Sequence, residues 1–260
     1  RNTFGNGDHL MAGYIGSKAV SVNTTSATIS DDLTVGDDAS VAGDLSVTGD
    51  YSSTTAGTSN LRLGVNAGNS IASGGNYNVC VGDEAGTAIN TGDVNTFIGY
   101  QSGDATTTSG NNVGVGYASL TTNILSSKNV ALGNNALKTH NLASAGDGLN
   151  VAVGHGAGEE VTTGTRNTLT GGLAGDALTT GSFNTAFGYA ALSTEDTADN
   201  NTAVGYAALT TLNGGTKNVA VGQSAAAAMT TGNGNTLIGT NAGDSLTDAD
   251  RNIAIGYLAL

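Results

Sequence analysis

The stretch NTAFGYAALSTEDTADNNTAVGYAALTTLNGGTKNVAVG, Asn184–Gly222, opens the same way three times, at Asn184, Asn201 and Asn218. Each opening is Asn, an aliphatic residue or Thr, a small residue, an apolar residue and Gly. Working outward, the opening recurs upstream as NLRLG, NVCVG, NTFIG, NVGVG, NVALG, NVAVG and NTLTG, and downstream as NTLIG and NIAIG. The lead asparagines are Asn60, Asn78, Asn95, Asn112, Asn129, Asn150, Asn167, Asn184, Asn201, Asn218, Asn235 and Asn252. Nine of the eleven intervals are 17 residues, and the others are 18 (the first) and 21 (Asn129 to Asn150). A period of this length is the signature of a stacked repeat architecture.

Counting each lead Asn as position 0, position +4 is Gly in every unit and +7 is Ala or Ser. Positions +1 and +3 are mostly β-branched or aliphatic, and +2 is mostly small. That alternation has the period of a β-strand, ended after four or five residues by the Gly. Units with Gly at +8 often carry an aliphatic residue at +11 (Ile71, Ile89, Val161, Leu178, Leu246), whereas units with Leu at +8 (Leu120, Leu137, Leu192, Leu209) mostly lack one. A unit this short cannot bury its apolar face alone, but stacked units do so continuously. The expected fold is therefore all-β, a repetitive β-solenoid or β-roll, or a triple β-helix fibre in which chains share each layer. At strand spacing, twelve coils rise roughly 58 Å. Stacked Asn amides are expected to hydrogen-bond from coil to coil, and Gly at +4 to supply positive φ at a corner.

Composition agrees. The 260 residues hold 41 glycines, no proline, no tryptophan and one cysteine, and aromatics make up 5 %. Such a chain fills thin apolar rows rather than a wide core. Proline is unwelcome where each backbone N–H serves the next coil. The formal net charge is −13 with eight basic residues, too few to neutralise a run of phosphates, so nucleic acid is not an expected partner. No run approaches the roughly 18 apolar residues of a membrane span. Arg1–Ser30 lacks the basic and apolar regions of a secretory signal. The start at Arg1 and the end in mid-repeat at Leu260 lead to the expectation of a piece of a longer polypeptide.

Three regions are read. Residues 1–22 show no period and are unassigned. Residues 23–59 carry Gly-Asp pairs at Gly36-Asp37, Gly43-Asp44 and Gly49-Asp50, between alternating apolar residues. These read as short strands joined by tight turns, a stalk with too little core for one chain. Residues 60–260 hold the twelve 17-residue repeats, with an insertion near 139–149.

The units GSFNTAFGYAAL (Gly181–Leu192) and DNNTAVGYAAL (Asp199–Leu209) resemble repeats of bacteriophage tail fibres, and DLTVGDDASVAGDLSVTGD is similar to their stalk repeats. The likeness covers roughly residues 31–260. It implies a homotrimeric, extracellular rod in a virion that serves attachment to the host, with other tail proteins and a host-surface glycan or protein as partners. The units also resemble the heads of bacterial trimeric surface adhesins, whose repeats are shorter than these.

Few candidate sites stand out from the repeat. The row at +5, Tyr100, Tyr117, Tyr189, Tyr206 and Tyr257, suits carbohydrate stacking if exposed; a cross-coil aromatic stack or packing between chains is the preferred reading. If +1 and +3 face inward, the row falls just beyond the Gly corner; if three chains associate, the small +2 face is the expected interchain contact. His155, also at +5, reads as a surface variant, and His140 lies in the insertion, either a receptor contact or a tolerated surface loop. The acidic pairs Asp83-Glu84, Glu159-Glu160 and Glu195-Asp196 sit in different turns, and read as solvated turn residues rather than a glycan-cleaving pair. Cys80 at +2 reads as a buried thiol. Threonine pairs occupy too loose a register for an ice-binding face. The chain is read as a non-enzyme without cofactor or metal.

Overall fold

The computed structural model describes residues 57–194 and 196–260. The expected segment 1–22, the stalk 23–59 except its last three residues, and Glu195 lie outside the described residues.

Every repeat contributes one three-residue strand at +1 to +3, from Leu61–Leu63 to Ile253–Ile255. Among the described residues twelve such strands form one parallel sheet in sequence order, the topology of a solenoid with one strand per coil. The register is in phase: Leu61 pairs with Val79, Thr185 with Thr202 and Ile238 with Ile255. It stays in phase across the long interval, where Ala131 pairs with Ala152. The four extra residues there are looped out. Ser126–Ser127 and Gly146–Asp147 pair as a separate two-stranded parallel sheet beside the loop.

The ladder continues past both strand ends. The +1 amide donates to the next Asn carbonyl (Leu61 to Asn78, 2.8 Å), and the +4 amide donates to the +3 carbonyl of the coil before (Gly82 to Leu63, 2.7 Å). The rest of each coil turns through left-handed residues. Gly at +4 has φ between 120° and 145°, as the sequence led us to expect. A second constraint holds there: a Cβ on Gly133 would lie 2.3 Å from the Gly154 carbonyl oxygen, so the glycine column lets successive backbones touch. Positions −1, +6 and +8 are left-handed too, and most of them are not glycine: Lys128 (φ 61°), Asn135 (58°) and Leu137 (48°) are one coil's set.

The direction of the strand differs from the conditional reading above. The small +2 side chains point inward: Cys80, Ala131, Ala152, Ala186, Ala203 and Ala220 have no exposed surface. Positions +1 and +3 point outward, and +2 is therefore no interchain contact. The physical reason is the thinness of the coil. The segment around +7 and +8 closes directly over the strand, leaving room for Ala and one larger group per layer. Large residues at +2 occur only where +8 is Gly. A Cβ on Gly103 would meet the Phe97 ring at 2.4 Å, and one on Gly243 would meet Leu237 at 2.7 Å. Where +2 is Ala or Gly, Leu120, Leu137, Leu192 and Leu209 fill the space from +8. The +11 aliphatics Ile71, Ile89, Val161 and Leu178 are buried as expected, and Leu246 is half-buried.

The asparagine ladder runs through this core without a break. Each lead Asn backbone amide donates to the Oδ1 of the Asn below, from Asn78 to Asn60 (2.8 Å), through Asn150 to Asn129 (3.1 Å), to Asn252 to Asn235 (2.9 Å). The Nδ2 group caps a carbonyl further along, as Asn201 does for Gly215 (2.8 Å). Buried amides in such chains polarise one another and lock the register.

Candidate functional site

The surface that the fold leaves unsatisfied is the outer side of the main sheet. Positions +1 and +3 hold only Val, Ile, Leu, Phe and Thr in all twelve coils. Leu63, Ile98, Leu132, Phe187 and Ile238 at +3 are each more than a third exposed. Two exposed rows border this wall. Along the −1 margin stand Tyr77, Val94, Leu149 and Phe183, together with the cations Lys128, Arg166, Lys217 and Arg251. Arg166 lies 5.3 Å from the centre of the Phe183 ring, a cation–π contact between successive coils.

Along the +5 margin stand the five expected tyrosines. All are exposed, Tyr100 by 45 % and Tyr257 by 73 %. Tyr100 stacks on Tyr117 at 5.7 Å and Tyr189 on Tyr206 at 5.8 Å between ring centres. The row is thus two separate stacks and a lone ring, because Asn134, His155 and Gly172 part the stacks and Gln223 and Thr240 part Tyr206 from Tyr257. The Glu84 carboxylate beside Tyr100 raises its phenol pKa. His155 is exposed, as expected.

His140 corrects the sequence reading. It is buried at +11 rather than displayed on the insertion, and the loop projects only from Ala143 to Asp147. Its Nε2 lies 2.8 Å from Ser126 Oγ and 3.4 Å from Asn150 Nδ2. Burial lowers its pKa to about 4, opposed by the Thr162 backbone. The sequence held a signal for this: His140 follows Asn129 by the interval that puts Ile89 and Val161 in the core.

The acidic candidates do not converge. Asp83 accepts the Val65 amide at 3.0 Å, and Glu84 accepts from Gln101 Nε2 at 2.8 Å. Glu159 takes Lys138 at 3.3 Å. Glu160 is exposed on the same coil as Glu159, and Asp196 is exposed two coils further along. Cys80 is buried against the core, and its thiol is pushed up to about 12 by burial, with Arg62 pulling the other way. Among the described residues no three His, Cys, Asp or Glu side chains come together as a metal site, and no helix is long and apolar enough to cross a membrane.

The chain matches no protein-family model, no curated protein and no solved structure. What the fold does establish is a repetitive parallel β-solenoid of 17-residue units, consistent with a fibre-like repeat protein.

Proposed function

We propose that this chain is a structural and adhesive segment of an extracellular fibre, a rigid homotrimeric shaft of the kind found in bacteriophage tail fibres, that serves attachment to a host surface. The observation that supports it is the unbroken phase of the coil ladder. Strand, asparagine and glycine columns keep register through twelve layers, so bending the stack strains every column at once. A shaft needs that stiffness, and a small-molecule site gains little from it. The likeness of Gly181–Leu192 and Asp199–Leu209 to tail-fibre repeats supplies the virion setting, with other tail proteins and a host glycan or protein as partners. Acidic groups dispersed through the turns keep such rods from sticking together indiscriminately.

The exposed tyrosine stacks on the roll itself favour a second reading, the head of a bacterial trimeric adhesin that binds along its flank. The oligomeric reading common to both is tested by light scattering of the purified chain, with and without mild denaturant. A mass of three chains that resists denaturant is expected; a stable monomer overturns the shaft.

A further inference from the structure

Among the described residues no element covers the sheet's outer wall, and its chemistry differs from edge to edge. The middle rows, +1 and +3, hold no charged residue in any coil. The −1 margin carries four of the chain's eight basic residues, Lys128, Arg166, Lys217 and Arg251, and no acid. The +5 margin carries five tyrosines and Asp83, and no Lys or Arg. From the shaft reading, on which this step rests, we infer that the wall is the self-association face: three copies turn it toward a common axis parallel to the stack, the −1 margin of each against the +5 margin of the next.

Three arguments choose another copy of this chain as the occupant. The first is spacing. The wall repeats every strand, ~4.8 Å, over twelve in-phase layers, and a second copy at the same level matches that period along its whole length. The second is area. From −1 to +5 is six residues, at most roughly 20 Å at ~3.3 Å each, and twelve strands rise roughly 58 Å, giving at most about 1,100 Å² of projected wall. A ring shares that wall between two neighbours, roughly 550 Å² to each, short of the about 800 Å² per partner of a standard two-body interface. Each chain reaches that scale by closing both contacts at once.

The third is complementarity. A rotational ring keeps each layer level, so the −1 and +5 residues of one coil number meet across the interface. Those pairs include Val94 with Tyr100, Phe183 with Tyr189, Asn200 with Tyr206 and Arg251 with Tyr257, and no layer pairs like charges. The Arg166–Phe183 contact within one chain is the same chemistry that Arg251 would find on a neighbour's Tyr257. The acids at −2 and +9, such as Asp93, Asp104, Asp176 and Asp199, lie half-buried in the turns and off the +1 and +3 rows, which spares a chain of charge −13 from repulsion at the middle of its interface.

The test uses the whole chain and two double variants. Val115→Lys with Val204→Lys places two cations on the wall, where both side chains point away from the core. Thr163→Lys with Thr180→Lys places them on exposed positions elsewhere on the coil. By light scattering the wild type and the second variant are expected at three chains, and the first at a threefold lower mass with an unchanged far-ultraviolet spectrum. A first variant that remains three chains overturns the assignment of the face and leaves the shaft standing. A monomeric wild type overturns both. Should the lysines unfold the chain, Asn200→Cys with Tyr206→Cys decides: six residues apart along an extended segment the two thiols cannot meet within one chain, so a three-chain band on a non-reducing gel supports the ring, and its absence from an assembled trimer refutes it.

Discussion

The exchange of volume between +2 and +8 makes the most demanding prediction. Phe97 and Gly103 share one layer, and a Cβ at Gly103 would sit 2.4 Å from the ring. Gly103→Leu alone is overpacked, at about 1–3 kcal/mol or more, to which a left-handed backbone (φ 59°) adds about 1 kcal/mol for any residue with a Cβ. Phe97→Ala alone opens a cavity beside a glycine that cannot fill it, at about 3–5 kcal/mol. Together, Phe97→Ala and Gly103→Leu rebuild the layer found at Ala186 and Leu192, where leucine already occupies the same left-handed conformation (φ 57°). The double variant should then lose no more than about 2 kcal/mol, an interaction energy of at least about 2 kcal/mol. Urea unfolding followed by circular dichroism at one protein concentration measures all four corners of the cycle. Simple additivity, with the double variant the least stable of the four, would refute the claim that these positions fill one shared space.

Three further outcomes follow from the same core. His140 is neutral when buried, with its pKa lowered from 6.5 to about 4, so the unfolded chain takes up the proton first. Its contribution is intact above pH 6.5 and declines by about 3 kcal/mol as pH falls to 4. His140→Asn, which copies Asn123 at the same coil position, should flatten that slope; burial raises the carboxyl pKa of Asp104 and Asp176, groups that act with the opposite sign, so the difference between the two proteins is the quantity to compare. Asn201→Ala strands the buried Asn218 amide and the Gly215 carbonyl, at about 1–3 kcal/mol each. Thermal melts measure the loss, and an Asn201→Ala protein as stable as the wild type would refute the ladder's contribution. Cys80 should resist an aromatic disulfide reagent in the folded protein and react at once in denaturant; rapid labelling of native protein would contradict its burial.

The repeat, the strand at +1 to +3, the Gly corner and the asparagine ladder are legible because each is periodic in the letters themselves. The direction of the strand is not. Alternation has the same period whichever side faces in, and the larger residues at +1 and +3 draw the interior toward them. A pair of columns argues the other way: Phe97 with Gly103, Leu169 with Gly175 and Leu237 with Gly243, against Ala186 with Leu192 and Ala203 with Leu209. Residues that trade volume share a space, and +2 and +8 do. His140 is obscured for a related reason, since the letters alone fit a loop that begins at Thr139 as well as one whose looped-out residues come after Asn141. The tyrosine row is legible as a row, but its division into stacks depends on which neighbours happen to be tyrosine.

The in-phase ladder also makes the length of this molecule a counted quantity. Adding or deleting one whole unit changes the stack by one layer and leaves every column, the wall and both margins continuous. Any other number of residues has to leave the coil, as the four beyond Asn141 do, while Val130 still pairs with Val151. Unequal recombination between units would therefore lengthen or shorten the rod in steps of ~4.8 Å without a new folding problem at each step. Sequence can meanwhile be spliced into the one coil that already carries a loop, so reach and decoration evolve separately.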